Sequence, residues 1–161
     1  MNGAARASGT ALLSGVLLLS GCGDSSSSGG AGGDDGGTVP SVTVQAGGDP
    51  ITVNPTQYCL DGEGQRYEST PPIVEVSPDT AIRLTVPESI AERGWQVQVF
   101  DDELQEVIGE VDVPEGTETF DGINTSDVAP PAFYLVVVED AGGECGEFTA
   151  AWPVGFLRAG G

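Results

Sequence analysis

Apolar residues in this chain recur at every second position in short runs, and each run is cut off by glycine, proline or aspartate. Trp95, Val97 and Val99 alternate with Gln96 and Gln98. Ile82, Leu84 and Val86 alternate with Arg83 and Thr85. An extended strand sends successive side chains to opposite faces, whereas an amphipathic helix spaces its apolar residues three and four apart. A chain patterned this way folds as strands with one face buried.

The same pattern runs from Val42 to the carboxyl end. Val42 and Val44 alternate, and Gly47-Gly48-Asp49-Pro50 turns the chain into Ile51-Thr52-Val53. Thr56 to Leu60 reads as a strand that ends at Asp61-Gly62-Glu63-Gly64. Ile73 to Val76 is followed by the turn Ser77-Pro78-Asp79. Pro87 to Arg93, closed by Gly94, is the one helical turn, with glycine where a helix ends in the left-handed region. Asp101-Asp102 turns a hairpin into Leu104 to Val111, and Pro114-Glu115-Gly116 leads to Thr119-Phe120 and Ile123. The unbroken run Phe133 to Val138 suits a central strand, and Phe148, Ala150, Trp152 and Val154 share one face of the last strand. About eight to ten short strands with regular turns give an all-β fold, an antiparallel β-sandwich that is immunoglobulin-like in architecture. The order Cys59, Trp95, Cys145 is that of immunoglobulin-type domains. Gly143 stands where their tyrosine corner would be, so the likeness is architectural.

The amino-terminal part follows another rule. Arg6 precedes an apolar run, Ala11 to Leu19, which is roughly half the length of a membrane-spanning helix. The run closes on Leu19-Ser20-Gly21-Cys22. That pattern resembles the lipobox of bacterial lipoproteins. The resemblance implies cleavage between Gly21 and Cys22, a diacylglycerol thioether on Cys22, and a new amine open to acylation by palmitate-type chains. Two or more chains anchor stably, at about 0.8 kcal/mol per buried methylene. Three regions follow: 1–21, a signal peptide; 22–38, the lipidated cysteine and a disordered tether; and 39–161, the sandwich. Residues 23–37 are seven Gly, four Ser, three Asp and one Ala, which bury nothing. As a flexible chain they reach roughly 20 Å. The expected location is the extracytoplasmic face of the cell membrane.

The full chain carries 25 acids against 5 basic residues and no His, for a net charge of −20. Loss of Arg6 leaves 25 acids against 4 Arg, or −21. Nucleic acid phosphates repel such a body, so nucleic acid is not an expected partner. With neither His nor Lys, serine triads, Cys-His peptidases and Schiff-base chemistry are excluded in their usual forms. Acidic pairs are plentiful, but no Asp-Thr-Gly or Asp-Ser-Gly signature occurs, and no catalytic residue is assigned. No cofactor and no metal site are expected. Asp101-Asp102-Glu103 lacks the spacing of a calcium loop, and Asn124-Thr125-Ser126 reads as a turn. Of three cysteines, Cys22 takes the lipid. Cys59 and Cys145 then pair in an exported chain, with two buried free thiols as the other reading.

Tyr58-Cys59, Val76-Ser77-Pro78, Leu84-Thr85-Val86-Pro87, Ser89-Ile90 with Trp95, and Ala151-Trp152 occur in that order. Taken together, roughly Val42 to Trp152 resembles an uncharacterised family of actinobacterial lipoproteins, domain of unknown function 2771. The resemblance implies an exported envelope protein without an assigned activity. Two functions are carried forward. One is a non-catalytic binding or structural accessory module for a protein or cell-wall partner. The other is a carrier or sensor of a small ligand held in a cavity between the sheets.

Overall fold

The computed structural model describes residues 38–139 and 143–160. Eleven strands and one short helix follow in order: β1 Val42–Ala46, β2 Ile51–Val53, β3 Gln57–Leu60, β4 Glu63–Arg66, β5 Ile73–Val76, β6 Ala81–Thr85, α1 Glu88–Arg93, β7 Trp95–Phe100, β8 Val107–Asp112, β9 Thr119–Asn124, β10 Ala132–Glu139 and β11 Ala150–Arg158. They form a four-stranded sheet, β2-β1-β6-β9, and a seven-stranded sheet, β4-β3-β11-β10-β7-β8, with β5 also paired to β11. The expected sandwich is there. Its pairings are antiparallel except for β5, which lies parallel to β11.

Period-two alternation sets what each face shows. Val42, Val44, Ile82, Leu84 and Ile123 of the smaller sheet pack against Trp95, Val97, Phe133, Leu135, Val137, Trp152, Val154 and Phe156 of the larger one. The phenyl rings of Phe133 and Phe156 stack with centroids 5.4 Å apart. Trp152 is fully buried, and its indole N–H donates to the carbonyl of Pro40 at 2.9 Å. A buried indole needs such a partner. Large side chains thus occupy the space between the sheets. On the far side of the smaller sheet, Thr52, Thr43, Thr85 and Thr119 fall in one row across the four strands.

β10 is central, as its apolar run suggests, with β11 on one side and β7 on the other. α1 ends where expected. Gly94 has a positive φ of 89, but its ψ of 145 is extended and not that of a left-handed helical cap; its N–H returns to the carbonyl of Ile90. Three boundaries differ from the sequence reading. Asp61 and Gly62, at φ 53 and 76, make a two-residue hairpin turn, so Glu63 begins β4 instead of belonging to the turn. β8 starts at Val107, after a longer loop, and β11 begins at Ala150, leaving Phe148 outside the strand.

Candidate functional site

Cys59 and Cys145 are joined by a disulfide, with Cα atoms 5.9 Å apart. Cys59 lies on β3, and Cys145 lies in the turn between β10 and β11. The bridge therefore ties a strand of the larger sheet to a turn between two strands of that same sheet, whereas the bridge of immunoglobulin domains crosses between sheets. The same turn is held a second way. Phe148 lies against Gly64, where an added Cβ would come within 2.9 Å of the ring, and the Arg66 guanidinium sits 5.7 Å from that ring's centroid. Gly21, Cys22 and the tether to residue 37 lie outside the described residues.

Behind the disulfide sits a polar cluster that the sequence reading did not single out. Phe133, Leu135 and Val137 face the core, and Glu139 continues their alternation. It is thus a carboxylate on the core face, its side chain only 3% exposed. Arg93, the last residue of α1, reaches it: Nε donates to Glu139 Oε1, and Nη2 donates to the Tyr58 hydroxyl at 2.9 Å. Burial pulls the Arg93 pKa down, but the Glu139 charge and the Tyr58 hydroxyl outweigh it, so the pKa is raised and the guanidinium stays charged. Chemically this is a satisfied ion pair that ties the helix end to β10 and, through Tyr58, to β3. The available signal was an acid standing two places after Val137, in phase with the inward residues.

Two open grooves flank Arg93. One, of about 570 Å³, is bordered by Gly94, Gln96, Asp112, Glu115 and Thr149. The other, of about 530 Å³, is bordered by Cys59, Asp61, Gly62 and Glu144. Among the described residues, no group of three Cys, Asp or Glu comes together as a metal site. Asp101 instead closes its own loop, accepting from the N–H groups of Gln105 at 2.8 Å and Glu106 at 3.2 Å. Thr125 is fully buried. Its hydroxyl accepts from the Thr80 N–H and donates to the Ser77 carbonyl, each at 3.0 Å, so the Asn124-Thr125-Ser126 segment is a structural turn.

The outward face of the larger sheet differs from these polar features. Pairing aligns Ile73, Gly155, Tyr134, Phe100 and Val107 in one row across five strands. Ile73 is 57% exposed and Val107 is 47% exposed, with Leu157 beside the row at 43%. Tyr134 and Phe100 are partly exposed and stand outside the core cluster. Gly155 makes the row possible: a Cβ there would meet the Tyr134 ring at 2.8 Å. The next row, Pro153 and Val136, is apolar as well, before Gln98 and Glu110 end it. An apolar stripe rimmed by polar residues is what an interaction face presents.

No curated protein and no solved structure matches the chain. A match to the family described as "Protein of unknown function (DUF2771)" covers residues 36–154, which takes in every strand from β1 to β10 and the first half of β11. The chain belongs to that family.

Proposed function

We propose that the protein is a lipid-anchored envelope lipoprotein on the extracytoplasmic face of the membrane. Its sandwich is a non-catalytic binding or accessory module for a protein or cell-wall partner. The observation that carries the module reading is the apolar row Ile73–Gly155–Tyr134–Phe100–Val107 on the outward face of the larger sheet. The Leu19-to-Cys22 pattern and the Gly/Ser/Asp segment after it support the anchor. The disulfide suits an exported chain. Trp152, Phe133 and Phe156 occupy the inter-sheet space that a small-ligand carrier would keep open, which favours the binding module over the carrier.

Photo-crosslinking in the native host tests the module. A crosslinker placed at Phe100 or Tyr134 should capture discrete adducts, while one at Thr43 or Thr85, on the opposite sheet, should not. Equal capture from both sheets, or none from either, refutes the reading. For the anchor, Cys22→Ser should move the protein from the membrane fraction to the medium or leave an uncleaved precursor. A wild-type mature chain without lipid mass refutes it.

A further inference from the structure

We propose that the free edge of β8 is a strand-addition site for a basic, extended segment of a partner polypeptide, one that carries two cationic residues two positions apart. The inference rests on the binding-module reading and deepens it by naming the edge used and the chemistry of the partner.

β8 is the terminal strand of the larger sheet, and its one neighbour is β7. In an antiparallel ladder, alternate residues point their N–H and C=O groups toward the neighbour and away from it. Half of the backbone groups of β8 therefore face off the sheet, and among the described residues no strand pairs with them. Such an edge is a template for another strand.

The side chains narrow the partner. A bulge in β8 puts Ile108 out of register, because Val99 pairs with Gly109 and Phe100 with Val107. Val107 and Ile108 are consequently adjacent and 47% and 42% exposed. From Asp101 to Glu118 the chain carries eight acids and no Arg. The two ion pairs among the described residues, Arg83–Asp121 and Arg93–Glu139, use none of these acids. Acids on an edge repel a second copy of the same edge, since like charges placed opposite each other destabilise a strand pair. The charge thus closes β8 to self-association and leaves it open to a cationic strand. Edge protection alone accounts for the acids; it does not account for Val107 and Ile108.

Register gives the spacing. Glu110 pairs with Gln98 and Asp112 with Gln96, so both acids lie on the outward face, two residues apart. At about 3.3 Å per residue, their positions are separated by roughly 6.6 Å along the strand. A partner strand laid beside β8 places its own residues two apart at the same interval. Its outward side chains facing Glu110 and Asp112 are then Lys or Arg, and the one facing Val107 is apolar. That apolar residue extends the row Ile73–Gly155–Tyr134–Phe100–Val107 by one strand.

The test is a titration of the isotopically labelled full chain, in mild detergent at low salt, with a short synthetic peptide. The probe is Thr-Lys-Thr-Lys-Thr-Val-Thr-Thr, which puts both Lys and the Val on one face as Gln96, Gln98 and Phe100 are on β7; the control has Glu in place of both Lys. Amide hydrogen exchange is followed residue by residue. Strand addition predicts that the Lys peptide slows exchange at alternate amides of residues 107–112 by tenfold or more, with the control inert. Glu110→Gln with Asp112→Asn should weaken binding roughly fivefold, from two exposed cross-strand charge pairs. Val107→Thr with Ile108→Thr should weaken it as well. Thermal melting checks that these exposed substitutions leave the fold intact. Three results overturn the proposal: no binding at low salt, binding without alternate-residue protection on β8, or protection located elsewhere. Protection confined to the Tyr134–Phe100 face would leave the module reading standing while removing the strand-addition site. Failure of the crosslinks at Phe100 and Tyr134 would remove the module reading itself.

Discussion

Replacing Arg93 with leucine should destabilise the domain by about 2–3 kcal/mol, because it strips the cation from a carboxylate on the core face. Removing one partner of a fully buried ion pair costs roughly 3–5 kcal/mol, since the remaining charge stays desolvated. Here Glu139 is 3% exposed at its side chain, but the Arg93 side chain is 40% exposed. Water reaches one side of the pair, which puts the expected cost below that range. Leucine keeps part of the apolar stem that arginine packs against its neighbours, so the loss reports mostly charge. For a domain of this size, the change corresponds to a fall of roughly 10 °C in the unfolding midpoint. The discriminating variant is Arg93→Leu with Glu139→Gln. A neutral amide at Glu139 removes the buried charge that Arg93 balances and should recover at least half of the lost stability. Urea unfolding of the parent, both single variants and the double variant closes the cycle, with an unchanged denaturant slope confirming that the folded state is the same. If the double variant is no more stable than Arg93→Leu, the charge is not the origin of the loss and the reasoning fails.

Reduction of the Cys59–Cys145 bridge, or Cys59→Ser with Cys145→Ser, frees a loop of 86 residues and should cost roughly 4 kcal/mol on loop-entropy grounds; calorimetry of oxidised and reduced protein measures it. Gly64→Ala pushes a Cβ to 2.9 Å from the Phe148 ring and should cost about 1–2 kcal/mol, with Phe148→Ala in the same chain relieving the clash. Thr125→Val keeps the shape but leaves the Thr80 N–H without its acceptor, while the Ser77 carbonyl keeps the Thr80 hydroxyl, and should cost about 1–2 kcal/mol in thermal or urea unfolding.

Where burial on one face wrote itself into the sequence, the strand could be read. β6, β7 and β10 alternate or run apolar because one face packs on the opposite sheet, and each was expected close to where it lies. β4 has no such signature. Glu63-Gly64-Gln65-Arg66 is exposed throughout and buries nothing, so its pairing with β3 is written only in the Asp61-Gly62 turn. β5 was recognised as a strand, but its parallel pairing with β11 depends on where the long connection returns, which no local pattern encodes. The Cys59–Cys145 pair was expected from export and arithmetic. Its confinement to one sheet was not, because connectivity between sheets is a property of topology. Glu139 is harder to read: as the last residue of an apolar run it reads locally as the polar end of a strand, its phase with Val137 is the one signal of a core-facing position, and its pairing opposite Trp95 and Ala150 bears that signal out.

The four arginines of the sandwich explain how a body this acidic holds together and what its surface is left to do. Arg66 lies over Phe148 and holds the β10–β11 turn to β4. Arg83 meets Asp121 at 3.6 Å, joining β6 to β9 at the bulge in that pair. Arg93 joins α1 to β10 and β3. Arg158 donates to the carbonyls of Thr125 and Val128 at 2.5 and 2.9 Å, fixing the end of β11 to the loop that follows β9. Every cation of the domain thus closes a seam between elements. None is set aside in a basic patch for phosphates or anionic headgroups, whose attraction needs several clustered Lys or Arg. Under the proposed anchoring, membrane attachment must then come from the acyl chains on Cys22, with the Gly/Ser/Asp segment keeping like charges apart. The fixed anionic field falls instead on partners, raising the encounter rate of cationic segments and screened within about 10 Å at 0.1 M salt. Of the eight acids from Asp101 to Glu118, two lie on β8, four in the loop before it and two in the segment after it, so part of that field falls beside the free strand edge and the exposed Val107 and Ile108.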